Sequence, residues 1–182
     1  MIDHIPTQKH TMNEQTKHPL IVTLALDESS QTYFTRLREK YFPKERNYLQ
    51  AHLTLFHKLP REERPVISRT LTEVSQVTQE LSLEVAEVKS IGRGVAFMLK
   101  RERLITIHRQ LSRQWHAWLT LQDQQKLWPH VTVQNKVSPK EAQRTLEQLF
   151  SSFEPFTATG TGLQLWEYRG GPWEFVWMYP FG

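Results

Sequence analysis

Hydrophobic positions along the chain fall into short blocks whose period switches between strand and helix. Leu20–Leu26 (LIVTLAL) is a continuous apolar run, which suits a buried strand. Asp27, Glu28 and Ser29 then supply helix-start chemistry, and Phe34, Leu37 and Tyr41 recur at helical spacing until Pro43. Ala51–Leu59 (AHLTLFHKL) alternates as a strand, Pro60–Glu63 opens a second helix through Ile67, Leu71, Val74 and Val77, and Leu81–Val88 alternates again. Gly92-Arg93-Gly94 turns the chain into a strand at Val95–Leu99. The same succession of signals follows. Glu102–Trp118 reads as a helix with Leu104, His108, Leu111, Trp115 and Trp118 along one face. His130–Val137 reads as a strand. Ser138-Pro139-Lys140-Glu141 is a capping signature opening a helix with Ala142, Leu146, Leu149 and Phe150. Strands at Gly162–Tyr168 and Trp173–Tyr179 flank the turn Arg169–Pro172 as a hairpin.

Two lobes, each ordered strand, helix, strand, helix, strand, are the expected organisation, and internal duplication explains them. Met1–Pro19 is polar and lacks an apolar block, so it reads as a flexible leader rather than a signal peptide or anchor. No apolar run approaches membrane-spanning length, and a cytoplasmic, monomeric protein without a membrane partner is the expectation. Residues 20–182 are expected to form one bilobed domain.

The duplication sharpens when the central strands are aligned. His52-Leu53-Thr54-Leu55-Phe56-His57-Lys58 matches His130-Val131-Thr132-Val133-Gln134-Asn135-Lys136, with His, Thr and Lys in the same register. Side chains alternate across a strand, so His52, Thr54, Phe56 and Lys58 should share one face, as should His130, Thr132, Gln134 and Lys136. A pseudo-twofold axis would converge these faces on one cavity. Two imidazoles there could serve as general base and general acid about one phosphorus, and two threonine hydroxyls could donate to its oxygens.

These paired motifs, His52-Leu53-Thr54-Leu55 and His130-Val131-Thr132-Val133, resemble those of the 2H phosphoesterase superfamily, the 2′-5′ RNA ligase-like or RNA 2′,3′-cyclic phosphodiesterase proteins. The resemblance covers roughly Leu20–Tyr179. It implies an α+β fold of two pseudo-symmetric lobes, with antiparallel sheets around a central cleft and helices on the outside. It also implies catalysis by His52, Thr54, His130 and Thr132 without a metal cofactor. The implied substrate is an RNA end or a small nucleotide phosphodiester, with hydrolysis of a 2′,3′-cyclic phosphate to a 2′-phosphate as the leading activity. Ligation or cleavage of 2′-5′ linkages at the same site, and a non-catalytic RNA- or nucleotide-binding module, are the alternatives. The near-symmetry of the motifs leaves open which histidine is the base.

Composition narrows the chemistry further. The chain of 182 residues has no cysteine, which excludes disulfides, thiolate metal sites and cysteine nucleophiles. A zinc site is disfavoured for want of HExxH spacing or a carboxylate at ligand spacing from either motif histidine. The formal charge is only +4. Between Lys89 and Gln122, however, Glu102 is the sole acid among seven basic residues, a cluster that could track a nucleic-acid backbone or simply be solvated. Arg93, between two glycines, is its member best placed to approach a phosphate. Lys58 and Lys136 are candidates to neutralise phosphate, and Phe56 to stack on a base or wall the core. Trp128, Tyr168 and Trp173 are candidate substrate walls. Phe175, Trp177 and Tyr179 should share a largely buried face with Trp173.

Overall fold

The computed structural model describes residues 18–182. The leader expected over Met1–Pro19 lies outside the described residues but for its last two. In chain order the elements are β1 (Leu20–Leu26), α1 (Glu28–Tyr41), β2 (Leu53–Leu59), α2 (Arg64–Gln76), β3 (Leu81–Ser90) and β4 (Val95–Lys100). There follow α3 (Glu102–Gln114), β5 (His130–Gln134), α4 (Pro139–Phe150), β6 (Phe156–Tyr168) and β7 (Trp173–Pro180). Two of the helix starts read above form as side-chain caps, while that of α2 has none. Asp27 Oδ1 accepts from Ser30 N at 3.0 Å, and Ser138 Oγ from Glu141 N at 3.2 Å. Asp27 Oδ2 also accepts from Thr159 N at 2.7 Å, tying the start of α1 to β6.

All strand pairs are antiparallel, in the order β2-β1-β6-β3-β4-β5, with β7 also on β6. β6 joins the two halves. Its residues Gly160–Glu167 pair with β1, Gly162–Tyr168 pair with β7, and Phe156–Gly160 pair with β3. The sequence places the start of this strand at Gly162, because the Thr- and Gly-rich stretch before it lacks alternation. That stretch is instead the bridge between halves.

The repeats are interlocked. β3, the third strand of the first repeat, pairs with β4 of the second, while β6 of the second pairs with β1 of the first. The helices cross too. Tyr33 and Phe34 of α1 pack edge-on against Phe97 of β4, whereas His108 of α3 stacks on Phe56 of β2 and Trp115 meets the same ring edge-on. Phe34, Phe56, Phe97 and Trp115 are essentially fully buried, and each stabilises this crossover by about 1.5–3 kcal/mol. β2 and β5, at opposite ends of the hydrogen-bonded order, consequently meet, and the sheet curls.

Both motif strands depart from simple alternation at the same point. The pairing of β2 with β1 passes from Thr23↔Thr54 to Val22↔Phe56, and that of β5 with β4 from Ala96↔Thr132 to Val95↔Gln134. One residue after each threonine, Leu55 and Val133, is thus an extra bulged residue. Phe56 and Gln134 then turn inward and are buried with the residues preceding them. Gly94 permits the matching approach of β4, since a Cβ there would lie 1.9 Å from the Gln134 carbonyl oxygen.

Candidate active site

His52 immediately precedes β2 and His130 begins β5, so the contact between these strands brings both imidazoles to one cleft. Their settings repeat. His52 Nδ1 lies 2.8 Å from the Gln50 carbonyl oxygen and His130 Nδ1 lies 2.7 Å from that of Trp128. A carbonyl only accepts, so each Nδ1 carries a proton, and in the neutral ring the lone pair is on Nε2. Each ring also lies against a tryptophan: His52 against Trp173 at 4.6 Å and His130 against Trp128 at 4.8 Å between centroids.

The histidine of the first motif is held neutral. Burial is the main cause of its pKa being lowered to about 4. The Gln50 carbonyl acts in the opposite direction, and the charge of Arg38, with those of His57 and His130 when they are protonated, lowers it further. Thr54 and Thr132 follow two residues after their histidines and are half-buried. Thr54 pairs with Thr23, whose hydroxyl donates to Gln164 Oε1 at 3.2 Å and accepts from Trp166 Nε1 at 2.9 Å.

A cavity of about 400 Å³ opens beside His52, lined among others by Tyr48, Gln50, Gln164, Trp166 and Trp173. Trp173 is held by its turn: Arg169 Nε contacts Glu167 at 3.1 Å and Glu174 at 3.2 Å, and Arg61 contacts the same buried Glu167 at 2.9 Å. Asp123 makes a second cross-half tie. Buried in the segment before β5, it accepts from the backbone N–H groups of His57 at 2.8 Å and Lys58 at 3.1 Å. It also accepts from His57 Nδ1 at 3.0 Å. Burial raises the Asp123 pKa, but the hydrogen bonds from His57 and Thr120 outweigh it and hold the carboxyl below its ordinary value.

Of the sequence candidates, His52 and Trp173 line this cavity, Trp128 lies against His130, and the meeting of β2 with β5 sets the strand of His130 and Thr132 beside that of Thr54. The other five are placed elsewhere. Phe56 does not share the face of His52, because the bulge turns it into the core, where it is fully buried against His108. Lys58 and Lys136 lie six residues beyond their histidines, about 20 Å along an extended chain, so neither reaches the imidazoles through its strand. Lys136 has moreover left β5 and adopts a positive φ of 62°. Arg93 stands at the far end of β4 from Met98, the residue paired with His130, and its Nε donates to the Val137 carbonyl at 3.1 Å. Tyr168 pairs with Trp173 across the hairpin but is not among the residues lining the cavity.

A shift in register between Leu165 and Trp166 also splits the aromatic face of β7, so Phe175 and Trp177 are exposed and only Tyr179 is buried. The basic residues of α3 (Arg103, Arg109 and Arg113) are exposed, and Lys89 pairs with Glu87 at 3.0 Å.

Arg38, Gln164 and Trp166 join the site without having been singled out. Arg38 was signalled by its place four residues after Phe34, on the buried stripe of α1, where a charge is unusual. No helix among the described residues is long and apolar enough to cross a membrane.

Known proteins share this fold. No curated protein sequence matches the chain. Among solved structures, E. coli LigT in complex with 3′-AMP is similar with a TM-score of 0.60 at 17% identity, over 90% of this chain and 98% of that one. LigT complexed with NADP+ gives 0.59, also at 17% identity, with the same coverage. TT0787 of Thermus thermophilus gives 0.61 at 12% identity, over 90% and 97%. At these identities the likeness establishes the fold. The sequence pattern of the 2'-5' RNA ligase superfamily matches residues 26–172, most of the chain. With two His-x-Thr strands meeting in the LigT-like fold, the chain belongs to the 2'-5' RNA ligase superfamily.

Proposed function

We propose that the protein hydrolyses a ribose 2′,3′-cyclic phosphate, at an RNA end or in a small nucleotide, to a 2′-phosphate. The carrying observation is the pair of imidazoles, each tautomerically fixed by a backbone carbonyl so that Nε2 is the reactive nitrogen. His52, neutral in the free protein, takes a proton from water as the water oxygen bonds to phosphorus. The bond from phosphorus to the ribose 3′ oxygen breaks, and His130 in its protonated form delivers a proton to that oxygen. The bound phosphodiester anion raises the His52 pKa toward neutrality, which strengthens it as a base when it is needed. Thr54 and Thr132 donate to the non-bridging oxygens, where charge accumulates. Neither proton transfer calls for a metal.

The cavity beside His52 suits the base of the substrate. It offers aromatic faces from Trp166 and Trp173 and amide groups from Gln50 and Gln164, and among the described residues its titratable lining is His52 and the phenol of Tyr48. The test is a substrate panel in EDTA: 2′,3′-cyclic AMP, a 2′-5′-linked dinucleotide and its 3′-5′ isomer, with products resolved by phosphorus NMR. Release of 2′-AMP from the cyclic nucleotide supports the reading. Turnover of the 2′-5′ dinucleotide alone would move the activity to that linkage, and no turnover of any substrate would leave a binding module.

A further inference from the structure

Arg38 is a cation buried where no carboxylate meets it. It lies on the inner stripe of α1 with 6% of its surface exposed. Nε donates to Asn47 Oδ1 at 2.9 Å and to the Leu49 carbonyl at 3.1 Å, and Nη1 donates to the Thr132 carbonyl at 3.0 Å. The guanidinium also covers the Phe42 ring, 3.9 Å from its centroid. Among the described residues no Asp or Glu lies within ion-pair distance of it. Its position is the seam between the halves, joining the segment that leads into His52 to the strand that carries His130 and Thr132.

Burying a charge without a counter-ion is costly, and neutral carbonyls and a ring face offset the cost only in part. Burial lowers the Arg38 pKa to about 10, which still leaves it cationic at neutral pH. Its field reaches the cleft, because it is one of the charges that disfavour protonation of His52. Holding three acceptors does not in itself require a permanent charge at this place. An anion bound between the two histidines would supply the missing partner.

We propose that Arg38 is the buried counter-charge of the substrate phosphoryl group: a positioning residue that favours an anion between His52 and His130 while pinning the Thr132 strand to the segment carrying His52. The inference rests on the phosphodiester reading above. Arg38 acts through space and through the Thr132 backbone, so it need not touch the substrate.

Asn47 provides a test that leaves the clamp in place. Asn47→Asp keeps an acceptor at Nε but gives Arg38 a carboxylate of its own, and Arg38→Met removes the charge. Affinity for 2′-AMP is measured by calorimetry on the full chain, with thermal unfolding as the check on folding. Both variants are expected to weaken 2′-AMP binding about tenfold or more. In Arg38→Met the acid limb of kcat/KM should also move to higher pH, since one of the charges that oppose protonation of His52 is then gone. Wild-type affinity in Asn47→Asp would overturn the proposal whether or not Arg38→Met folds. A wild-type protein that neither binds 2′-AMP nor turns over a cyclic nucleotide would remove the phosphodiester reading, and this inference with it.

Discussion

His52 and His130 make the same hydrogen bond from opposite halves of the molecule: each Nδ1 donates to the carbonyl two residues earlier, at 2.8 and 2.7 Å. The carbonyls belong to Gln50 and Trp128, in the segments leading into β2 and β5, so ring orientation is set before either strand begins. The two imidazoles are therefore oriented by backbone hydrogen bonds. Their separation depends on how firmly the two strands are held together.

Stability should depend on pH through His52. An unfolded histidine titrates near 6.5, whereas His52 in the fold does so at about 4. Between these values the unfolded chain holds the extra proton, so this group makes the fold less stable as pH falls from about 6.5 toward 4. His52→Gln should flatten that part of the profile. Melting temperatures of both proteins from pH 4.5 to 7.5 check it, and parallel profiles would argue against a depressed His52.

Trp173→Ala should raise KM for a cyclic nucleotide on the order of tenfold, as expected for losing one base–aromatic stack, with kcat less affected. Tyr168→Ala, across the hairpin, should leave both constants near wild type. Steady-state kinetics on the pair separate a base-stacking wall from a general weakening of the hairpin.

Gly94→Ala should destabilise the protein by about 2 kcal/mol or more, because the new methyl group would meet the Gln134 carbonyl oxygen at 1.9 Å. Relieving that contact moves β5 away from β4, and His130 and Thr132 move with it. Urea unfolding combined with kcat should therefore show losses in both, whereas Gly92→Ala, strained by a φ of 83° but free of contacts, should lose stability with a milder change in activity.

The histidines and threonines were legible because strand alternation and duplication both act over a few residues. His52 and Thr54, like His130 and Thr132, lie before the bulge, where a period of two still holds. Phe56 lies one step after it, and nothing in AHLTLFHKL marks where an extra residue enters a strand. The same limit applied to Lys136, whose departure from β5 is set by its positive φ and by Asn135 Oδ1 accepting from its N–H. Gly160 and the threonines around it hid the start of β6, because the pairing there comes from β1 and β3, distant in sequence. Arg38 carried only the weak signal of its place on the apolar stripe of α1, because a charge on a helix is normally solvated and it is tertiary packing that buries this one.

The most direct measurement is turnover of 2′,3′-cyclic AMP in EDTA by wild type, His52→Ala and His130→Ala, each checked for folding by its melting transition. The account predicts release of 2′-AMP by the wild type and a fall of about 10²- to 10⁴-fold in kcat for each variant. A folded variant of either kind that retained wild-type turnover would contradict it.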